Sequence, residues 1–96
     1  MKHDILVKYN AEVTKQQKAD LIPEIRELFE HTTDIPGIHG VTLYPNVVER
    51  ENRYDLLIEI DMEREALDAY DHSVWHKQWK EQYAHLLEKK AIFDHD

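Results

Sequence analysis

What constrains this chain most is the order in which two hydrophobic periods follow one another. Asp4–Asn10 alternates with period two. Ile5, Val7 and Tyr9, with His3, fall on one side; Asp4, Leu6, Lys8 and Asn10 fall on the other. Leu21, Ile22, Ile25, Leu28 and Phe29 then recur at helical spacing. A second strand is expected from Ile38 to Val48. In a third, Tyr54, Leu56, Ile58 and Ile60 alternate with Asp55, Leu57, Glu59 and Asp61. Met62–Tyr70 predicts a short helix, Asp71–Ser73 an interruption, and the following residues a helix to Lys89 or Lys90. Ala91-Ile92-Phe93 reads as a short last strand.

This order, β-α-β-β-α-β with the second helical region split, predicts an α+β ferredoxin-like plait over residues 1–96, read as one domain. Four antiparallel strands would carry helices on one face. Local signals agree with the boundaries. Thr14 with Gln17 three residues on is a capping box, and Ser73 can cap the last helix. Pro23 removes a backbone donor inside the first helix, so a kink or break near Ala19–Asp20 is expected. Ile35-Pro36-Gly37 marks a turn, Pro45 an edge, bulge or strand end, and Glu49–Asn52 a polar hairpin loop. Leu6 and Leu57 interrupt what would otherwise be a polar sheet face. That second apolar surface needs a cover, and a second copy of the chain is the expected one.

Composition excludes several classes. Lys and Arg number 12 against 20 Asp and Glu, a formal charge of −8 that disfavours nucleic acid and anionic membranes. With no cysteine, disulfide and thiolate chemistry are ruled out. No stretch reads as a signal peptide or a bilayer span, so a cytoplasmic location is expected.

The residues that invite chemistry lie in Ala69–Trp79, AYDHSVWHKQW. At about 100° per residue, Trp75, Trp79, Tyr83 and Leu86 share one stripe of the last helix, with His76 at its border. His3 projects with Ile5, Val7 and Tyr9. If that side is the helix-covered one, His3 and His76 face a common interior, and Tyr70 can join them. A phenol and an imidazole in apolar surroundings form an acid/base pair. Tyr70 and His76 are thus the candidate catalytic residues, with His3, Val7, Trp75, Trp79 and Tyr83 as candidate ligand contacts. The competing interpretation is an aromatic core with a satisfied histidine. His72 and His76 stand four apart, a metal-ligand spacing, but the break at Ser73 and the lack of a third ligand argue against it. No metal or cofactor is expected.

Lys2-His3-Asp4-Ile5-Leu6-Val7-Lys8, Glu12-Val13-Thr14, Ile35-Pro36-Gly37-Ile38, Tyr54-Asp55, the Glu65–His76 region and Ile92-Phe93-Asp94 occur here in order. In these pieces the chain resembles the stress-responsive α/β-barrel (Dabb) family. The resemblance implies a ferredoxin-like monomer whose sheet faces pair into a homodimeric barrel. It also implies a relation to the branch that cyclises a polyketide to olivetolic acid, which uses a tyrosine and a histidine between sheet and helices. Tyr70 and His76 match that pair, and His3 matches a pocket histidine of that branch. The family's His-Pro step is here Ser73-Val74, with His72 displaced by one, and Trp75 is bulkier than the small residue usual there.

Three functions follow as alternatives. The first is a small-molecule pocket with cyclase- or lyase-like proton transfer on a planar or polyketide-like ligand. The second is a non-catalytic dimer acting in ligand binding or stress response. The third, suggested by topology alone, is a monooxygenase-like or haem-degrading enzyme, for which no flavin or haem fingerprint is present. An open cavity holding Tyr70, His76 and His3 together would favour the first; a sealed interior beside His76, the second.

Overall fold

A computed structural model describes residues 1–96. Strand β1 spans Lys2–Tyr9 and helix α1 Lys15–Glu30, followed by a 3-10 turn at His31–Asp34. Strands β2 and β3 span Ile38–Pro45 and Leu56–Met62. A 3-10 turn at Arg64–Ala66 leads into α2, Leu67–Asp71. Helix α3, Val74–Tyr83, closes in a 3-10 turn at Ala84–Leu86, and strand β4 runs Leu87–His95. The sheet order is β2-β3-β1-β4 and every pairing is antiparallel, the expected ferredoxin-like topology. No helix is long and apolar enough to cross a membrane.

Ladder register fixes the two faces, because residues directly opposite share a side. His3 faces Ile60 and Asp94; Ile5 faces Ile58 and Ile92; Val7 faces Leu56 and Lys90. This is the helix-covered side. Ile25, Leu28 and Phe29 of α1 and Trp79 and Tyr83 of α3 are buried in the same core cluster as Ile5, Val7, Ile58 and Ile60. Phe29 meets Trp79 edge-on, with ring centroids 5.2 Å apart. Removing a fully buried side chain such as Ile58 would cost about 2–5 kcal/mol. Asp4, Leu6, Leu57, Glu59 and Phe93 lie on the opposite face, and Phe93 is 62% exposed. None of these five belongs to the buried apolar cluster, so the core is one-sided.

Local chemistry explains the ends. Thr14 and Gln17 form the capping box reciprocally, at 3.1 and 2.8 Å. Gly37 takes φ +94°, and a Cβ there would lie 3.1 Å from the Ala66 Cβ. Its carbonyl accepts from the Glu63 amide at 2.7 Å. Only glycine meets both the left-handed conformation and the close approach.

Four boundaries differ from expectation. Helix α1 continues through Pro23 without a break. Pro23 and Ala19 lie on the exposed side, where water can reach the carbonyl that loses its donor. Strand β2 stops at Pro45, not Val48, since Pro45 offers no N–H for further pairing. Strand β3 starts at Leu56 and keeps Met62, which continues the buried Ile58–Ile60 alternation, so the short helix begins later. The largest difference is β4. It starts at Leu87, not Ala91, because it pairs with β1 over nearly the full length of that strand.

Candidate functional site

The site lies where the start of β1, the end of β4 and the α2–α3 junction meet. Ser73 organises that junction. Its hydroxyl donates to the Tyr70 carbonyl at 2.7 Å and accepts from the His76 amide at 3.2 Å. It ends one helix and caps the next. The Tyr70 and His76 ring centroids come to 4.9 Å, and the His3 ring lies 5.4 Å from Tyr70, nearly edge-on.

A cavity of about 320 Å³ opens here, lined by His3, Tyr70, His76 and Trp79 together with Lys80, Lys90, Ile92 and Asp94. The other expected contacts lie off it. Val7 is wholly buried between sheet and helices, Tyr83 packs on Trp79 at 5.3 Å, and Trp75 stacks on His31 at 6.2 Å. Lys80, Lys90 and Asp94 are cavity residues that the sequence did not single out.

Each polar group has a defined condition. His76 Nδ1 lies 3.0 Å from the Asp71 carbonyl. A carbonyl only accepts, so Nδ1 carries the hydrogen and Nε2 of the neutral ring keeps its lone pair. Burial, with the charges of Lys80 and Lys90, holds the His76 pKa below its ordinary value against the opposing pull of Asp71. The ring is therefore a neutral base at neutral pH. His3 Nδ1 donates to the Asp94 carboxylate at 2.5 Å, which fixes the orientation of this buried ring. Burial raises the Tyr70 pKa well above the phenol range, with the Asp71 charge adding to it, so Tyr70 stays protonated. Its hydroxyl is buried and has no hydrogen-bond partner. An unmatched buried hydroxyl costs about 1–3 kcal/mol, which an accepting ligand oxygen would relieve.

A larger hollow, about 870 Å³, lies at the other end of the sheet, between α1 and residues 45–56. It includes Tyr9, whose hydroxyl burial pushes up to about 12 and which also has no partner. No histidine lines it, and several of its lysines are already neutralised: Lys18 by Asp55, Lys15 by Glu49 and Lys8 by Glu88. The smaller cavity carries the proton-moving groups.

His72 and His76 have no third ligand. His72 is turned to the Asp68 carbonyl at 2.8 Å. One set of three metal-ligating side chains exists, Asp4, Glu59 and His95 on the open sheet face, with ligand atoms within 4.8 Å of one another. His95 Nε2 lies 2.9 Å from Asp4. Burial and the neighbouring Asp4 carboxylate raise the Glu59 pKa, while Asp4 raises that of His95.

The family model described as "Stress responsive A/B Barrel Domain" matches residues 1–96. No curated protein matches the chain. Among solved structures, a dimeric ferredoxin-like protein of unknown function from Bacteroides fragilis is similar, with TM-score 0.78 and 16% identity over 99% of this chain and 93% of that one. A Dabb family protein from Mesorhizobium loti has TM-score 0.74 and 10% identity, covering 99% and 93%. A hydroxynitrile lyase from Passiflora edulis has TM-score 0.70 and 12% identity, covering 96% and 87%. At these identities the structural likeness concerns the fold.

Proposed function

The chain belongs to the stress-responsive A/B barrel (Dabb) family, and from that premise we propose that it is a small-molecule proton-transfer protein working as a homodimer. The observation that carries this reading is the unpartnered Tyr70 hydroxyl, set beside two oriented imidazoles in an open cavity. In the proposed step, His76 Nε2 takes a proton from a carbon next to a carbonyl. The C–H electron pair becomes the enolate, and the Tyr70 O–H donates a hydrogen bond to its oxygen. His3, held by Asp94, orients the ligand. The imidazolium then returns the proton to carbon or to a leaving group. Aldol-type ring closure, as in the olivetolic acid branch, uses such a step. In a hydroxynitrile cleavage, the activity named for the Passiflora edulis neighbour, the same base would instead take the hydroxyl proton as the C–CN bond breaks, and the imidazolium would protonate the departing cyanide.

Deuterium exchange into a small β-diketone in D2O tests this. His76→Ala should slow exchange by about 10²–10³-fold with the fold intact, and Tyr70→Phe by about 10²-fold. Equal rates in wild type and His76→Ala would remove His76 from the step.

The dimer would form through the open sheet face, where Leu6, Leu57, Tyr44 and Phe93 are incompletely buried. Similar structures from Bacteroides fragilis and Thermobifida fusca are described as dimeric. Light scattering should give twice the 11.5 kDa chain mass, and Leu57→Asp should give the monomer. A wild-type monomer would refute the dimer and leave the exchange test standing.

A further inference from the structure

Eight lysines are distributed over this chain. Lys2, Lys8, Lys15, Lys18 and Lys77 each reach a carboxylate, and Lys89 lies over the Tyr54 ring at 5.3 Å. Only Lys80 and Lys90 have no partner of either kind, in a chain with 20 acidic side chains. Both line the Tyr70–His76 cavity. They come from different elements: Lys80 one turn beyond His76 on α3, Lys90 from the covered side of β4.

The cavity does contain two carboxylates, yet neither pairs with a lysine. Asp94 is taken by His3, and Asp71 makes no ion pair. Burial and then the Lys80 charge hold the Lys90 pKa below its ordinary value, and no carboxylate pulls it back. Lys80 and Lys90 therefore form a local like-charge pair without a counter-ion from the protein. The larger hollow makes the contrast, since Lys8, Lys15 and Lys18 there are each met by a carboxylate.

We propose that the cavity selects a small, flat ligand bearing an anionic oxygen group, and that Lys80 and Lys90 are the residues that select it. The volume, near the lower end of the usual ligand range of about 300–1,000 Å³, suits a single ring or a short keto acid. Trp79 and the Tyr70 ring supply the flat apolar wall. The two ammoniums take the carboxylate or phosphate, leaving the uncharged part beside Tyr70 and His76. The inference rests on the reading of this cavity as the ligand site.

Titration calorimetry with benzoate, phenyl phosphate and neutral benzamide tests it. At low salt, at least one anion should bind about tenfold tighter than benzamide, and the advantage should shrink as salt is added. The tighter of the two identifies the preferred group. Lys80→Met/Lys90→Met should bring the ratio of anion to benzamide affinity below about twofold, and the double arginine variant should retain it. Equal binding of all three probes, an anion preference that survives in the double methionine variant, or no binding of any probe would each overturn the proposal. His76→Gln separates the two readings. If it keeps the anion preference while wild type shows no deuterium exchange, proton transfer fails and anion selection stands.

Discussion

Strands β1 and β4 exchange two histidine–aspartate pairs, one on each face of the sheet, and the pairs are inverted. On the covered face the imidazole of His3 is nearly inaccessible, its side chain 6% exposed, and the Asp94 carboxylate is wetter at 38%. On the open face the Asp4 carboxylate is the buried partner at 12% and the His95 ring is wet at 41%. The sequence sets this up with His3-Asp4 and Asp94-His95, mirrored dipeptides on antiparallel strands. The buried member decides the use. A buried imidazole beside a cavity, steered by an exposed carboxylate, can act on a ligand. A buried carboxylate facing Glu59 favours a cation beside it, and its hydrogen bond raises the pKa of His95.

Breaking the covered pair should cost most. Asp94→Ala leaves the His3 ring buried without its acceptor, a loss of about 1–3 kcal/mol. Thermal unfolding should record a Tm lowered by several degrees for a chain of this size. Asp4→Asn should cost less, because removing that charge also relieves Glu59. If Asp4→Asn proved the costlier, the contrast between the faces would be reversed.

pH should separate the histidines of the two faces by sign. His95 has a raised pKa, caused first by its hydrogen bond to Asp4. Its contribution is complete below the ordinary value of about 6.5 and lost as pH rises through the raised one. His76 has a pKa lowered by burial. Its neutral form is favoured by folding, so stability present above about 6.5 is lost as pH falls through the lowered value. In Tm measured against pH, His95→Gln should flatten the alkaline limb and His76→Gln the acid limb. Slopes of the same sign would deny the difference. The smallest effect expected is in NMR titration of Glu59→Gln, where His95 should titrate slightly lower than in wild type, since Glu59 is the last-ranked contributor to its shift.

Much of this was legible in the sequence because period two and period 3.6 report burial directly. The alternation of β1 grouped His3 with Ile5, Val7 and Tyr9, which the structure shows to be the covered side, and α3 put His76 at the border of the Trp79 stripe. Lys90 and Asp94 were missed for one shared reason. Leu86-Leu87-Glu88-Lys89-Lys90 is made of good helix formers and reads as the end of α3, which leaves β4 too short to expose its register. Pairing with β1 overrides that local preference, and no property of residues 86–90 alone announces it. Trp75 and Tyr83 share the α3 stripe with Trp79, but only Trp79 reaches the cavity. Helical phase names a face without saying which part of it meets a hollow.

The interruption at Ser73 has a geometric consequence. On an unbroken helix, residues six apart point roughly 120° away from each other and stand about 9 Å apart along the axis. Tyr70 and His76 could not then meet as they do, with ring centres 4.9 Å apart. Their encounter depends on an elbow in the backbone fastened by the Ser73 hydroxyl and amide and by the His76 ring on the Asp71 carbonyl. Drift in the sequence of that elbow would re-aim one ring against the other while both reacting side chains stayed unchanged.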